Sequence, residues 1–104
     1  MIILGIDPGT TLIGYGVIEK TGSNLKSLDY GVIRNPGKDR AADYKNTFDT
    51  LSKIIAKYSP SVCGIEKLFF FKNQKTVMSV SEMRGVLLYT LAHHGIGIHE
   101  FTPL

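Results

Sequence analysis

Met1-Ile2-Ile3-Leu4-Gly5-Ile6-Asp7-Pro8-Gly9-Thr10-Thr11, followed by Ile13-Gly14-Tyr15-Gly16-Val17-Ile18, is the stretch around which the chain is organised. Apolar residues interrupted only by Gly5 lead to a single carboxylate, and Pro8-Gly9 turns the chain into a second β-type segment. A strand apolar at every position has no solvated side, so Ile2 to Ile6 is predicted to be a central strand in a sheet covered on both faces. Asp7 then stands at its tip. An ionised Asp is costly to bury unless something cationic meets it, and the tips of central strands in α/β sheets are where ligands and metals are held. The plainer alternative is a cap on the Pro8-Gly9 turn, because Asp favours the first position of such turns.

Downstream of this stretch, Ile13 to Glu19 and Leu25 to Arg34 read as a second and a third strand, with Thr21-Gly22-Ser23-Asn24 as the hairpin between them. Gly14, Gly16 and Gly31 weaken strands unless a backbone or a ligand comes close, and tight packing explains each equally well. Asn35-Pro36-Gly37-Lys38 ends the meander. Tyr44, Phe48, Leu51, Ile55 and Tyr58 recur at helical spacing, which predicts an amphipathic helix from about Arg40 to Lys57 stopped by Pro60. Lys45, Asp49, Lys53 and Lys57 form its solvated side.

Val62-Cys63-Gly64-Ile65-Glu66 repeats the logic of the opening, an apolar strand ending on a carboxylate. One helix of crossover returns this strand parallel to the first by the right-handed βαβ rule. Parallel neighbours that both end in an acid bring Asp7 and Glu66 to one edge. At ~5 Å and an effective dielectric of ~20, their repulsion is on the order of 3 kcal/mol. Such a pair calls for a cation, and hard carboxylate oxygens suit Mg²⁺ or Mn²⁺ better than a soft metal.

Next comes Lys67-Leu68-Phe69-Phe70-Phe71-Lys72-Asn73-Gln74-Lys75. Three successive aromatics cannot all face one core. Exposed rings among cations grip unstacked bases beside phosphates, and a loop packing its own apolar cluster is the alternative. A second helix carries Val77, Val80, Met83, Leu87, Leu88 and Leu91 as its apolar stripe, with Gly95 as its C-terminal cap. Gly85 in its middle costs about 1 kcal/mol relative to Ala, so either the sheet or a second subunit is expected to approach there. His93 and His94 are adjacent, point in different directions, and read as helix-end residues that suit the macrodipole. Gly97 to Phe101 forms a fifth strand. Thr102-Pro103 then has the form of a helix start, an N-cap residue followed by proline, so the chain is expected to be part of a longer protein.

Composition bounds the classes. A chain of 104 residues, 43% hydrophobic, has room for one domain. The formal net charge of +3 and a sequence pI near 9.1 favour a polyanionic partner. One cysteine, Cys63, excludes an internal disulfide and a thiolate zinc cluster. With no secretory signal and no apolar run of bilayer length, a cytoplasmic protein without membrane contact is expected. Three strands, helix, strand, helix and strand make an α/β fold, a mixed five-stranded sheet with helices on both faces.

Gly5-Ile6-Asp7-Pro8-Gly9-Thr10 with Gly14-Tyr15-Gly16-Val17-Ile18, then Ile65-Glu66, Phe69-Phe70 with Lys72-Asn73, Arg84-Gly85-Val86 and Phe101-Thr102-Pro103-Leu104 resemble, in the same order along the whole chain, the RuvC family of Holliday-junction resolvases. The resemblance implies a ribonuclease-H-like fold. It further implies a homodimer that cuts four-way DNA junctions symmetrically in recombination and repair, and that cooperates with branch-migration proteins. The family uses Mg²⁺, for which Mn²⁺ can substitute, in a two-metal in-line hydrolysis.

On that resemblance Asp7 and Glu66 are catalytic and are the first two metal ligands. The second helix, Thr76 to His94, supplies the dimer contact. Phe69 lies near the junction, and Phe70, Lys72, Asn73, Lys75 and Arg84 belong to the DNA surface. The family's two remaining metal-site residues lie on a C-terminal helix. The 104 residues are therefore expected to be a C-terminally incomplete single domain, with its C-terminal helices missing, and inactive alone.

Two alternatives accompany this reading. Asp7-Pro8-Gly9-Thr10-Thr11 also looks like the first phosphate loop of actin-like ATPases and sugar kinases. A non-catalytic nucleic-acid-binding module of the same fold is the other.

Overall fold

A computed structural model describes residues 1–67 and 74–102, the side chains of Gln74 and Lys75 excepted. The elements follow in the order β1 (Ile2–Asp7), β2 (Leu12–Thr21), β3 (Asn24–Arg34), α1 (Arg40–Tyr58), β4 (Val62–Glu66), α2 (Gln74–His93) and β5 (Gly97–Phe101). They build one five-stranded sheet in the order β3-β2-β1-β4-β5. The first three strands are an antiparallel meander, and β4 and β5 add in parallel beside β1. β1 is the middle strand, as its apolar run from Ile2 to Ile6, interrupted only by Gly5, predicts.

Local chemistry sets the boundaries. Gly22 turns the β2–β3 hairpin with φ +62, a left-handed conformation that favours glycine. Asp39 caps α1 by accepting from the Ala42 amide at 3.3 Å. Ser59, left-handed at φ 49, closes the other end by donating its amide to the Ile55 carbonyl. Past α2, Gly95 donates to the Ala92 carbonyl and Ile96 to the Leu91 carbonyl, the paired bonds of a Schellman stop.

The core lies between the sheet and the helices. Leu4 and Ile6 of β1, flanked by Val17 and Ile65, meet Leu51 of α1 and Leu87 of α2, all buried. Cys63 is buried among them, and loss of solvent pushes its thiol up to about 12. The stripe of α1 is rotated from expectation. Leu51 and Ile55 are buried as predicted, but Asp43, Thr47 and Ile54 share that side, while Tyr44, Phe48 and Tyr58 are only partly covered.

The expectation of helices on both faces is not met among the described residues. α1 crosses from β3 to β4 and α2 from β4 to β5, so both right-handed crossovers advance across the sheet in the same direction and land on the same side. The helices meet there through Arg40 and Glu82 at 3.1 Å and through the rings of Phe48 and Tyr89 at 6.2 Å. Nor is β1 covered on both sides by the described residues. Its alternate positions Ile3, Gly5 and Asp7 face an open trough of about 700 Å³.

Candidate metal centre at the strand tips

Asp7 and Glu66 close two neighbouring parallel strands. The β1–β4 register pairs Ile6 with Ile65, so the next residue on each strand is an acid. Side chains alternate across a sheet, and Ile6 and Ile65 point into the core, so Asp7 and Glu66 point to the opposite face. Neighbouring strands lie about 4.8 Å apart, which brings the two carboxylates within reach of a single ion. Both border the trough. Asp7 is exposed and Glu66 half-buried.

The local sequence explains why Asp7 is free. Across β2 it is paired with Gly14, where a Cβ would sit 3.5 Å from the Asp7 Cβ, so glycine leaves the flank of the carboxylate open. The following turn closes so tightly that a Cβ on Gly9 would lie 2.1 Å from the Leu12 carbonyl oxygen. No other residue fits there. Among the described residues nothing donates a hydrogen bond to the Asp7 carboxylate, which leaves the turn-cap reading without its bond. An all-oxygen pair of carboxylates is the donor chemistry of a hard divalent cation, so the residues present fit such an ion. They fit it only in part, since no group of three or more His, Cys, Asp or Glu side chains gathers among the described residues.

Behind Glu66 stands Arg84. Its Nη1 donates to the Glu66 main-chain oxygen at 2.5 Å and its Nη2 to Glu100 Oε2 at 2.6 Å. Its side chain is only 12% exposed. Arg84, expected at the DNA surface, is therefore turned inward, because a guanidinium finds a carbonyl and a carboxylate at fork spacing beneath it.

A polar network missed in the sequence supports the Asp7 turn from below. Asn35 Nδ2 donates to the Thr10 carbonyl and to Thr47 Oγ1, both at 2.9 Å, and Asn35 Oδ1 accepts from Asn46 Nδ2 at 2.8 Å. The Asn35 amide donates to the Thr11 carbonyl at 2.8 Å. Asp43, also buried, accepts from the Gly37 amide at 3.0 Å. The available signal was Asp43 and Thr47 at i and i+4 ahead of Leu51, polar residues on the buried side of a helix.

The glycines differ in purpose. At Gly31 a Cβ would come within 2.9 Å of the Tyr15 hydroxyl, the tight-packing explanation. Gly16, Gly5 and Gly64 instead line up across β2, β1 and β4 on the open face. Among the described residues a Cβ at Gly85 would meet nothing within 4 Å, so the described sheet is not what approaches it. His93 and His94 converge rather than diverge, with ring centroids 5.6 and 6.3 Å from that of Phe48, because α2 ends at His93 and His94 follows the turn instead of the helix. Phe69, Phe70, Lys72 and Asn73 lie outside the described residues, and Lys75 falls in the first turn of α2.

The profile of the family described as crossover junction endodeoxyribonuclease RuvC matches residues 3–104. The chain is 43% identical over 104 residues to the protein of that name from Heliobacterium modesticaldum, spanning 99% of this chain and 64% of the relative. It is 45% identical over 104 residues to the one from Petrotoga mobilis, again spanning 99% and 64%. The structure of Thermus thermophilus RuvC in complex with a Holliday junction substrate superposes with a TM-score of 0.90 at 21% identity, covering 99% of this chain and 66% of that one. The chain thus spans about 64% of the length of the curated relatives it matches.

Proposed function

Given that the chain belongs to the RuvC family, we propose that it carries part of the active site of an endodeoxyribonuclease that resolves four-way DNA junctions by symmetric, divalent-metal-dependent strand cleavage. The observation that carries this reading is the register of Asp7 and Glu66, which stand side by side on one face at the tips of β1 and β4. In the reading, these carboxylates hold Mg²⁺, or Mn²⁺ in its place. Such an ion supplies activation of water and neutralisation of charge on a phosphodiester undergoing in-line displacement. Asp7 and Glu66 orient it, and Gly14 keeps a side chain away from the exposed Asp7.

DNA contact falls in this proposal to Phe69, Phe70, Lys72, Asn73 and Lys75, aromatics and cations immediately after Glu66 in sequence. The basic balance of the chain, +3, suits that polyanionic substrate. A homodimer is proposed through α2, on whose outer side Met78 and Tyr89 are more than half exposed and Gly85 has open space beside it. Cooperation with branch-migration proteins in the cytoplasm completes the proposal. No helix among the described residues is long and apolar enough to cross a membrane.

The test uses the protein with its full natural C-terminus. Asp7→Asn and Glu66→Gln are each expected to abolish cleavage of a four-way junction in Mg²⁺ while junction binding measured without divalent metal is retained. Cleavage at the parent rate by either variant removes that residue from the site.

A further inference from the structure

We propose that Arg84 is a positioning residue for the metal site, holding the Glu66 end of β4 by clamping its main-chain carbonyl against Glu100 of β5. The inference rests on the reading of Asp7 and Glu66 as metal ligands and adds a residue that reaches the site only through the backbone of one of them.

β4 has just five residues, and its pairing to β1 ends at Ile6–Ile65, so Glu66 is a terminal residue beyond that ladder. On the β5 side the Lys67 amide donates to the Phe101 carbonyl at 2.7 Å, which ties the outer edge of the tip. Arg84 then reaches up from the middle of α2. One arm of its fork donates to the Glu66 carbonyl at 2.5 Å and the other to the Glu100 carboxylate at 2.6 Å. Glu100 stands opposite Ile65 in the β4–β5 register, so a single guanidinium joins helix α2 to two adjacent strand ends.

Chemistry favours this residue type. The bond from a charged donor is shorter and stronger than a neutral one, and the planar fork fixes direction as well as distance. A lysine ammonium has donors but no fork, so it can hold one partner well and the other less well. The inward, mostly buried side chain leaves little of Arg84 for a phosphate. The Glu66 carboxylate leaves the same residue whose carbonyl is clamped, and a tip free to rotate would move that carboxylate relative to Asp7. Partners that orient metal ligands typically matter by about 10–100-fold in metal affinity or activity.

The experiment compares parent, Arg84→Met, Arg84→Lys, Glu100→Gln and Glu66→Gln in the protein with its full natural C-terminus. Mn²⁺ binding is followed by electron paramagnetic resonance without DNA, and junction affinity is measured without metal. Single-turnover cleavage is measured at saturating junction as Mg²⁺ is varied. Arg84→Met is expected to weaken Mn²⁺ binding by about 10–100-fold, to raise the Mg²⁺ needed for half-maximal cleavage, and to leave junction affinity as in the parent. Arg84→Lys should recover part of the loss, and Glu100→Gln should show a smaller loss in the same direction.

Parent-like Mn²⁺ binding in folded Arg84→Met overturns the proposal. So does a loss confined to junction affinity with a salt dependence reduced by about one charge, the mark of a phosphate contact. Should Arg84→Met not fold, Arg84→Lys and Glu100→Gln are read on the same axes, and parent-like Mn²⁺ binding in both overturns it equally. Glu66→Gln separates the two levels: parent-like Mn²⁺ binding there defeats the metal reading and the Arg84 proposal with it. Loss in Glu66→Gln alone defeats only the role of Arg84.

Discussion

Asp7 and Glu66 lie one register step beyond the Ile6–Ile65 pair, on neighbouring parallel strands and on the face away from both helices. Each strand before them is apolar and ends on its acid, so burial of Ile6 and Ile65 forces both carboxylates outward to the same edge. Like charges at the tips of strands about 4.8 Å apart repel. That repulsion is what a divalent cation, as proposed here, would relieve.

Asp7→Asn should accordingly stabilise the chain without metal, because it removes one of two like charges and keeps the shape. Asp7 is exposed, so solvent screening places the gain near ~1 kcal/mol, the value for water-like dielectric. The gain should shrink as Mg²⁺ is added, since bound metal stabilises the parent more than the variant. Urea melts with and without Mg²⁺ measure it, and an Asn variant less stable than the parent in metal-free buffer would return Asp7 to a structural role.

Asn35→Ala removes the donor shared by the Thr10 carbonyl and Thr47 Oγ1. Thr47 is fully buried, so its hydroxyl cannot turn to water. The expected loss is about 1–3 kcal/mol, against less than about 0.5 kcal/mol for Thr50→Ala on the outer side of α1. Denaturant midpoints of the two variants, side by side, check the difference.

Gly85→Ala should stabilise the monomeric chain by about 0.5–1 kcal/mol, because a Cβ there meets nothing within 4 Å among the described residues. If a second copy packs on α2, the same methyl weakens the dimer. Thermal melting at low concentration and sedimentation across a concentration series separate the effects. A dimer indifferent to this substitution moves the proposed contact off the middle of α2.

Cys63 gives the chain an alkaline slope. Burial raises its thiol from 9.0 to about 12, so between those values the unfolded chain has released a proton that the folded chain keeps. The folded form binds more protons there, and stability falls as pH rises from about 9 toward 12. Burial also raises the Tyr15 and Tyr44 phenols, which act in the same direction. Urea titrations at stepped pH should show a shallower decline for Cys63→Ala than for the parent, and the parent thiol should resist alkylation at pH 8 until urea unfolds it. Rapid alkylation of the native chain would contradict the burial.

Phe69→Ala, made in the protein with its full natural C-terminus, distinguishes stacking from packing. A ring stacked on a junction base should lose about 1–3 kcal/mol of junction affinity with melting unchanged. A core ring should lose ~3–5 kcal/mol of fold stability. Phe69→Trp sharpens the contrast, since a stacking platform accepts any flat ring whereas a packed site rejects added volume.

The periodicities of the chain decided much on their own. Short-range patterns define the seven elements of the described residues, the central position of β1 and the parallel return of β4, because alternation, helical spacing and caps such as Gly95 act within a few residues. The Asp7–Glu66 juxtaposition was legible for the same reason, as two strand endings made alike. Three features needed the assembled fold. Which side the helices cover follows from the direction in which successive crossovers advance, a property of the whole sheet. Asn35, Thr47 and Asp43 acquire meaning only when the β3–α1 loop lies against the Thr10–Thr11 turn. Arg84 was placed at the DNA surface by the family resemblance, and its charge alone allows either DNA or a carboxylate. Its direction was set by α2 docking beneath β4 and β5, where the Glu66 carbonyl and Glu100 carboxylate fit the fork of the guanidinium.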